Sequence, residues 1–108
     1  MMEHYKDIEA GEFSQVDESE RKKYVLVDVR TSEEYEEGHI PGAIHIPHDE
    51  MEERFAELNP HKDEKILLIC RSGRRSVIAA HVLHSKGFSQ LYNLKGGMLE
   101  WTGPVTKE

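Results

Sequence analysis

The chain has 108 residues, enough for one domain (1–108) with its own core and no covalent staples. Its formal net charge of −7 argues against a nucleic-acid partner, whose binding rests on basic residues meeting phosphates. A single cysteine excludes an internal disulfide, and the charged start (His4, Lys6, Asp7, Glu9) in place of an apolar leader leads to the expectation of a reducing, cytoplasmic setting.

Taken in order, residues 9–23 carry the weakest pattern, and a short helix is expected at 13–16. Residues 24–29, rich in β-branched side chains, read as a strand buried on both faces. Thr31 and Glu34 then have the spacing of a capping box that opens a helix, and Gly38 closes it. Pro41-Gly42 forms a turn before a short strand at 43–46, which Pro47 ends. Met51, Phe55 and Leu58 recur at helical spacing, so a helix is expected over 48–58, stopped by Asn59-Pro60. Residues 65–69 are the clearest strand, apolar without alternation and leading straight into Cys70. The longest apolar run, 66–70, is far too short to span a membrane. Val77, Ile78, Ala80, Val82 and Leu83 mark a helix that packs on a sheet, ended by Gly87 with Phe88 as the following contact. A last strand covers 91–94, and Gly96-Gly97 opens a turn or short helix ending near Trp101. Strands alternating with helices at this spacing give βαβ units, hence an α/β fold with a mainly parallel sheet covered on both faces.

Ligands of such sheets bind beyond the carboxyl ends of the strands, where Cys70 lies. It is followed by Arg71-Ser72-Gly73-Arg74-Arg75-Ser76 and a helix. A tight turn at Gly73 directs backbone N–H groups inward. The helix beginning near Arg74 adds its positive end, and the arginines add full charge. Each effect favours thiolate over thiol. An ordinary thiol of pKa about 8.5 is a few per cent ionised at neutral pH, and lowering it by roughly two units makes it mostly thiolate. A depressed Cys70 pKa is therefore expected. Without that loop a lone cysteine reads as a small core residue. The acidic runs at 17–20, 33–37 and 49–57 read as solvated faces.

The stretch Cys70-Arg71-Ser72-Gly73-Arg74-Arg75-Ser76 resembles the active-site loop of the rhodanese family. Asp28-Val29-Arg30, Glu34-Tyr35 and Gly38-His39-Ile40-Pro41-Gly42-Ala43 resemble its N-terminal signature. Gly87-Phe88, Tyr92-Asn93-Leu94-Lys95-Gly96-Gly97 and Trp101 resemble its C-terminal one. The resemblance runs over about residues 25–105 in the right order. It implies a five-stranded mainly parallel sheet with helices on both faces. It also implies that the Cys70 thiolate takes a sulfane sulfur from a small anionic donor, thiosulfate or a persulfide. The persulfide so formed would sit among the backbone N–H groups of residues 71–75. It would then pass to a thiophilic acceptor, cyanide in the test tube and a thiol, of a protein or otherwise, in the cell. No metal or organic cofactor is implied. Arg71 and Arg74 are the candidates for holding the donor, with Ser72, Gly73, Arg75 and Ser76 completing the binding loop.

Outside the loop the readings are mostly structural. Arg30 and Glu34 are expected to form an ion pair that fixes the loop after the strand. Asp28 either faces the site or caps the next helix. His39 reads as a hydrogen-bonded turn residue and Trp101 as core or lid. His81 and His84 lie three apart on a helix without an acidic or thiol partner at useful spacing, which argues against a shared metal. The rival enzyme class, a phosphatase or arsenate reductase, places an arginine six positions after the cysteine to clamp a tetrahedral oxyanion. That position is Ser76 here, and Ile69 precedes the cysteine instead of a histidine. A second rival is a sulfur-relay or regulatory module that acts with a partner protein.

Overall fold

The computed structural model describes residues 4–108. Its strands are β1 (Lys6–Glu9), β2 (Tyr24–Asp28), β3 (Ile44–His45), β4 (Lys65–Ile69) and β5 (Leu91–Lys95). Its helices are α1 (Ala10–Phe13), α2 (Glu18–Arg21), α3 (Ser32–Glu37), α4 (Met51–Arg54), α5 (Arg75–Ser85) and α6 (Gly97–Glu100). The five strands form one parallel sheet in the order β1-β5-β4-β2-β3.

The central strand explains the layering. Side chains alternate across a strand, so an unbroken apolar run serves two cores at once. Ile66, Leu68 and Cys70 enter the core with Met51 of α4 and Ala79, Ala80 and Leu83 of α5. Leu67 and Ile69 enter the opposite core with Phe13 of α1, Leu94 and Trp101. All of residues 66–70 are fully buried. The parity that fills the α4/α5 side therefore also fixes which face Cys70 occupies.

Local signals hold where the backbone chemistry is strong. Thr31 and Glu34 form the reciprocal capping box. At the end of α5, Gly87 adopts φ +95° and the Phe88 N–H donates to Leu83 O at 3.1 Å, with Phe88 buried.

Four expectations are corrected. The helix placed at 13–16 lies earlier, as α1, and is followed by α2, whose N-terminus Asp17 caps by accepting from Glu20 N–H at 2.9 Å. The helix over 48–58 is broken into a 3-10 turn (His48–Glu50), α4, and a longer 3-10 stretch (Phe55–His61). Pro60 does not stop that stretch but lies within it, because proline's fixed φ matches 3-10 geometry. Strand β1 has no counterpart in the sequence reading; it is an exposed edge strand whose only apolar side chain is Ile8.

The fourth correction concerns Arg30, which does not pair with Glu34. Asp28 is entirely buried and requires a cation, and Arg30 lies two residues on with its fork aligned. Arg30 Nε and Nη2 donate to the Asp28 carboxylate at 2.8–3.1 Å, and Nη2 also donates to Gly38 O at 2.7 Å. Asp28 accepts the Arg30 backbone N–H as well, so it does not cap α3, whose N-cap is Thr31. Glu34 instead receives Arg75 in a two-pronged pair at 2.8 and 3.0 Å, tying α3 to the start of α5.

Two outcomes follow from this packing. Leu68→Ala should lower stability by about 2–5 kcal/mol in urea titration, because a fully buried central-strand side chain leaves a cavity on removal. The hydrogen bonds from Arg75 hold the Glu34 carboxyl at about 2, below its ordinary 4.5. A lowered folded value means stability that is present above about pH 4.5 and lost as pH falls towards 2. Glu34→Gln should flatten that part of the acid unfolding curve, measured by circular dichroism.

Candidate active site

Cys70 follows the last residue of β4, and residues 71–74 carry the chain to α5. The loop turns at Gly73, whose φ of +96° suits glycine. Its outer side is held by α6. Met98 N–H donates to Cys70 O at 2.9 Å and Leu99 N–H to Arg71 O at 3.0 Å. This contact needs Gly97, since a Cβ there would lie 2.5 Å from Arg71 O.

With these two carbonyls bound outward, N–H groups of the loop converge on the sulfur. Gly73 N–H donates to Cys70 Sγ at 3.0 Å, and the backbone of Ser72 and Ser76 also favours its charged form. The Ser76 hydroxyl lies 3.4 Å from Sγ. Burial pushes the thiol up, but the Ser76 side chain and the backbone of Ser76, Gly73 and Ser72 outweigh it, leaving Cys70 below the ordinary 9.0. The direction agrees with expectation, while the cause is chiefly hydrogen bonding rather than the loop arginines.

The arginines have separate positions. Arg71 and Arg74 are exposed and make no ion pair or side-chain hydrogen bond among the described residues. Arg75 is half-buried with its charge matched by Glu34. Ser76 is fully buried against the sulfur. Asp28 sits beside Ile69 in the sheet register, so the Asp28–Arg30 pair borders the site. Neither side chain hydrogen-bonds to Cys70 among the described residues, and through Gly38 O the pair holds the neighbouring loop.

Residues farther out take structural positions. His39 Nδ1 lies 2.7 Å from Tyr35 O, and its backbone pairs with Thr106. Trp101 is buried and its indole N–H donates to Pro104 O at 3.0 Å, which makes it a core residue. His81 and His84 contact the ring of His4, His84 by stacking at 3.8 Å.

Two residues carry no site role in the sequence pattern. Asn93 Oδ1 accepts the Ser76 hydroxyl, and Asn93 Nδ2 donates to Asp7 Oδ1 at 2.9 Å. Asn93 is the one amide in an otherwise apolar and aromatic tetrapeptide at 91–94, and that buried polar side chain was the available signal. Asp7 carries no such signal, because its strand is exposed and has no apolar alternation.

No helix among the described residues is long and apolar enough to cross a membrane. Comparison with known proteins agrees with the architecture. The family profile described as "Rhodanese-like domain" matches residues 14–104. The chain is 49% identical over 78 residues to YrkF of Bacillus subtilis, named as a candidate sulfur carrier protein; the match covers 72% of this chain and 41% of that one. It covers 65% of a second Bacillus subtilis relative, so the chain spans less than two thirds of these proteins. Thiosulfate sulfurtransferase PspE of Escherichia coli is 36% identical, over 75% of this chain and 77% of its own. The crystal structure of a rhodanese-related protein from Thermoplasma volcanium superposes with a TM-score of 0.82 at 31% identity, covering 96% of this chain and 100% of that one. With its five-stranded parallel sheet and its cysteine loop beyond β4, the chain belongs to the rhodanese-like domain family.

Proposed function

We propose that this protein is a thiosulfate- or persulfide-using sulfurtransferase with Cys70 as its nucleophile. The observation that carries the reading is the environment of Cys70 Sγ: the Gly73 N–H donates to it and the Ser76 hydroxyl lies beside it, so that serine stands where a phosphate site needs a cation. The Cys70 thiolate attacks the outer sulfur of thiosulfate. The Sγ–S bond forms, the sulfur–sulfur bond of the donor breaks, and sulfite leaves with the electron pair. The persulfide anion replaces the thiolate charge among the same N–H groups. A nucleophile, cyanide in an assay or a thiolate in a cell, then attacks the terminal sulfur and expels Cys70 as thiolate. Arg71 and Arg74, the loop cations without partners, attract and orient the dianionic donor.

A second reading is a relay that hands its sulfur to a partner protein. It is favoured by the likeness to YrkF and by the chain's single cysteine, which leaves release of the sulfur to an outside acceptor.

Incubation with thiosulfate should add one sulfur atom by intact mass, and cyanide should then release thiocyanate; Cys70→Ser should abolish both. Absence of the adduct together with hydrolysis of p-nitrophenyl phosphate would overturn the reading. An adduct with negligible cyanide turnover would favour the relay. Arg71→Ala and Arg74→Ala should each raise KM for thiosulfate several-fold, and together about ten-fold, the worth of ~1.4 kcal/mol of charge-assisted contact. Unchanged KM in both would remove them from the donor site.

A further inference from the structure

The Ser76 hydroxyl has one proton and two rival acceptors. One is Cys70 Sγ at 3.4 Å; the other is Asn93 Oδ1, to which the proton is directed. The direction is set from further out. Asp7 carries a carboxylate that only accepts, so the Asn93 amide must turn Nδ2 towards it, at 2.9 Å, and Oδ1 towards Ser76. Asp7 and Asn93 are register partners on β1 and β5, which places both side chains on one face of the sheet. The result is a chain of side chains, Asp7–Asn93–Ser76–Cys70, running from the edge strand to the sulfur.

This arrangement suits a sulfur that bears no charge. A thiol can donate its own proton to Ser76 Oγ, and the inner sulfur of a persulfide needs no donor. A thiolate facing the same oxygen meets a lone pair, so on ionisation the Ser76 proton must turn from Asn93 to Sγ. Resting on Cys70 as the sulfur-carrying nucleophile, we propose that Asp7 and Asn93 are positioning residues that hold the Ser76 proton while Cys70 is uncharged and give it up when the thiolate forms. Charge forms on Sγ when the thiol first ionises, its proton passing to solvent, and again each time the acceptor expels Cys70. No atom is exchanged in the turn: one O–H···O bond breaks and one O–H···S bond forms.

The charged groups around the sulfur are Arg75 on α5, matched by Glu34 of α3, the Asp28–Arg30 pair beyond β2, and Arg71 and Arg74 of the loop. On the side of β5 and α6, Lys95 pairs with Glu9 and Glu100 lies against Gly96. All are constant across the variants below, so differences among these report the network.

The experiment is the pH dependence of iodoacetamide alkylation of Cys70 in the full chain. Asn93→Ala removes the competitor for the Ser76 proton and Asp7→Ala removes the group that orients it, and both should lower the thiol midpoint, raising reactivity below the midpoint roughly three-fold or more. Ser76→Ala should raise the midpoint. In the Ser76→Ala background, Asn93→Ala and Asp7→Ala should have no further effect, because they act only through the hydroxyl. A persisting effect of Asp7→Ala there would mean plain removal of a negative charge and would overturn the proposal. So would an unchanged or raised midpoint in the Asn93 variant. If Asn93→Ala does not fold, Asp7→Ala on the exposed edge strand decides alone. Alkylation needs no sulfur transfer: a wild-type protein that forms no persulfide refutes the proposed function, whereas failure of the midpoint pattern refutes only the network.

Discussion

Two backbone hydrogen bonds, from Met98 and Leu99 of α6 to the carbonyls of Cys70 and Arg71, set the shape of everything around the sulfur. A seven-residue loop contains as many acceptors as donors, and an anion site works only if the acceptors face away. Here α6 takes the carbonyls of Cys70 and Arg71, and its approach depends on the lack of a side chain at Gly97. The Gly96-Gly97 pair thus belongs to the site although it lies more than twenty residues from Cys70 in the chain.

The same geometry decides how the sulfur is ionised. Hydrogen bonds at 3.0–3.4 Å within a buried pocket act directly on Sγ. Of the loop's charges, one is balanced by Glu34 and two stand in solvent, where salt screens them. Short-range donors therefore act on the sulfur itself, while the two exposed cations face solvent. The acidic remainder of the chain sets that basic patch apart.

Much of this was legible in the sequence where a residue has a single local solution. The Thr31–Glu34 box, the Gly87-Phe88 terminus and the apolar run of β4 specify their own geometry, and the position of Cys70 beyond a parallel strand follows from them. What failed depended on neighbours distant in the chain. Arg30 had two carboxylates within reach, and the choice went to Asp28 because that one is fully buried. Strand β1 carries Lys6, Asp7 and Glu9 and exists because β5 offers a ladder, so no local pattern announced it. Asp7 was lost with it. The arginines beside Cys70 read as its activators, whereas the groups that favour its charged form are serine and backbone hydrogen-bond donors.

The enclosure of Cys70 bears on oxidative damage. A thiolate reacts with peroxides to give a sulfenic acid, which is ordinarily rescued by a neighbouring thiol. This chain has no second cysteine, so no disulfide within it can intercept the intermediate before it is oxidised further. Protection within the molecule rests on burial of Sγ.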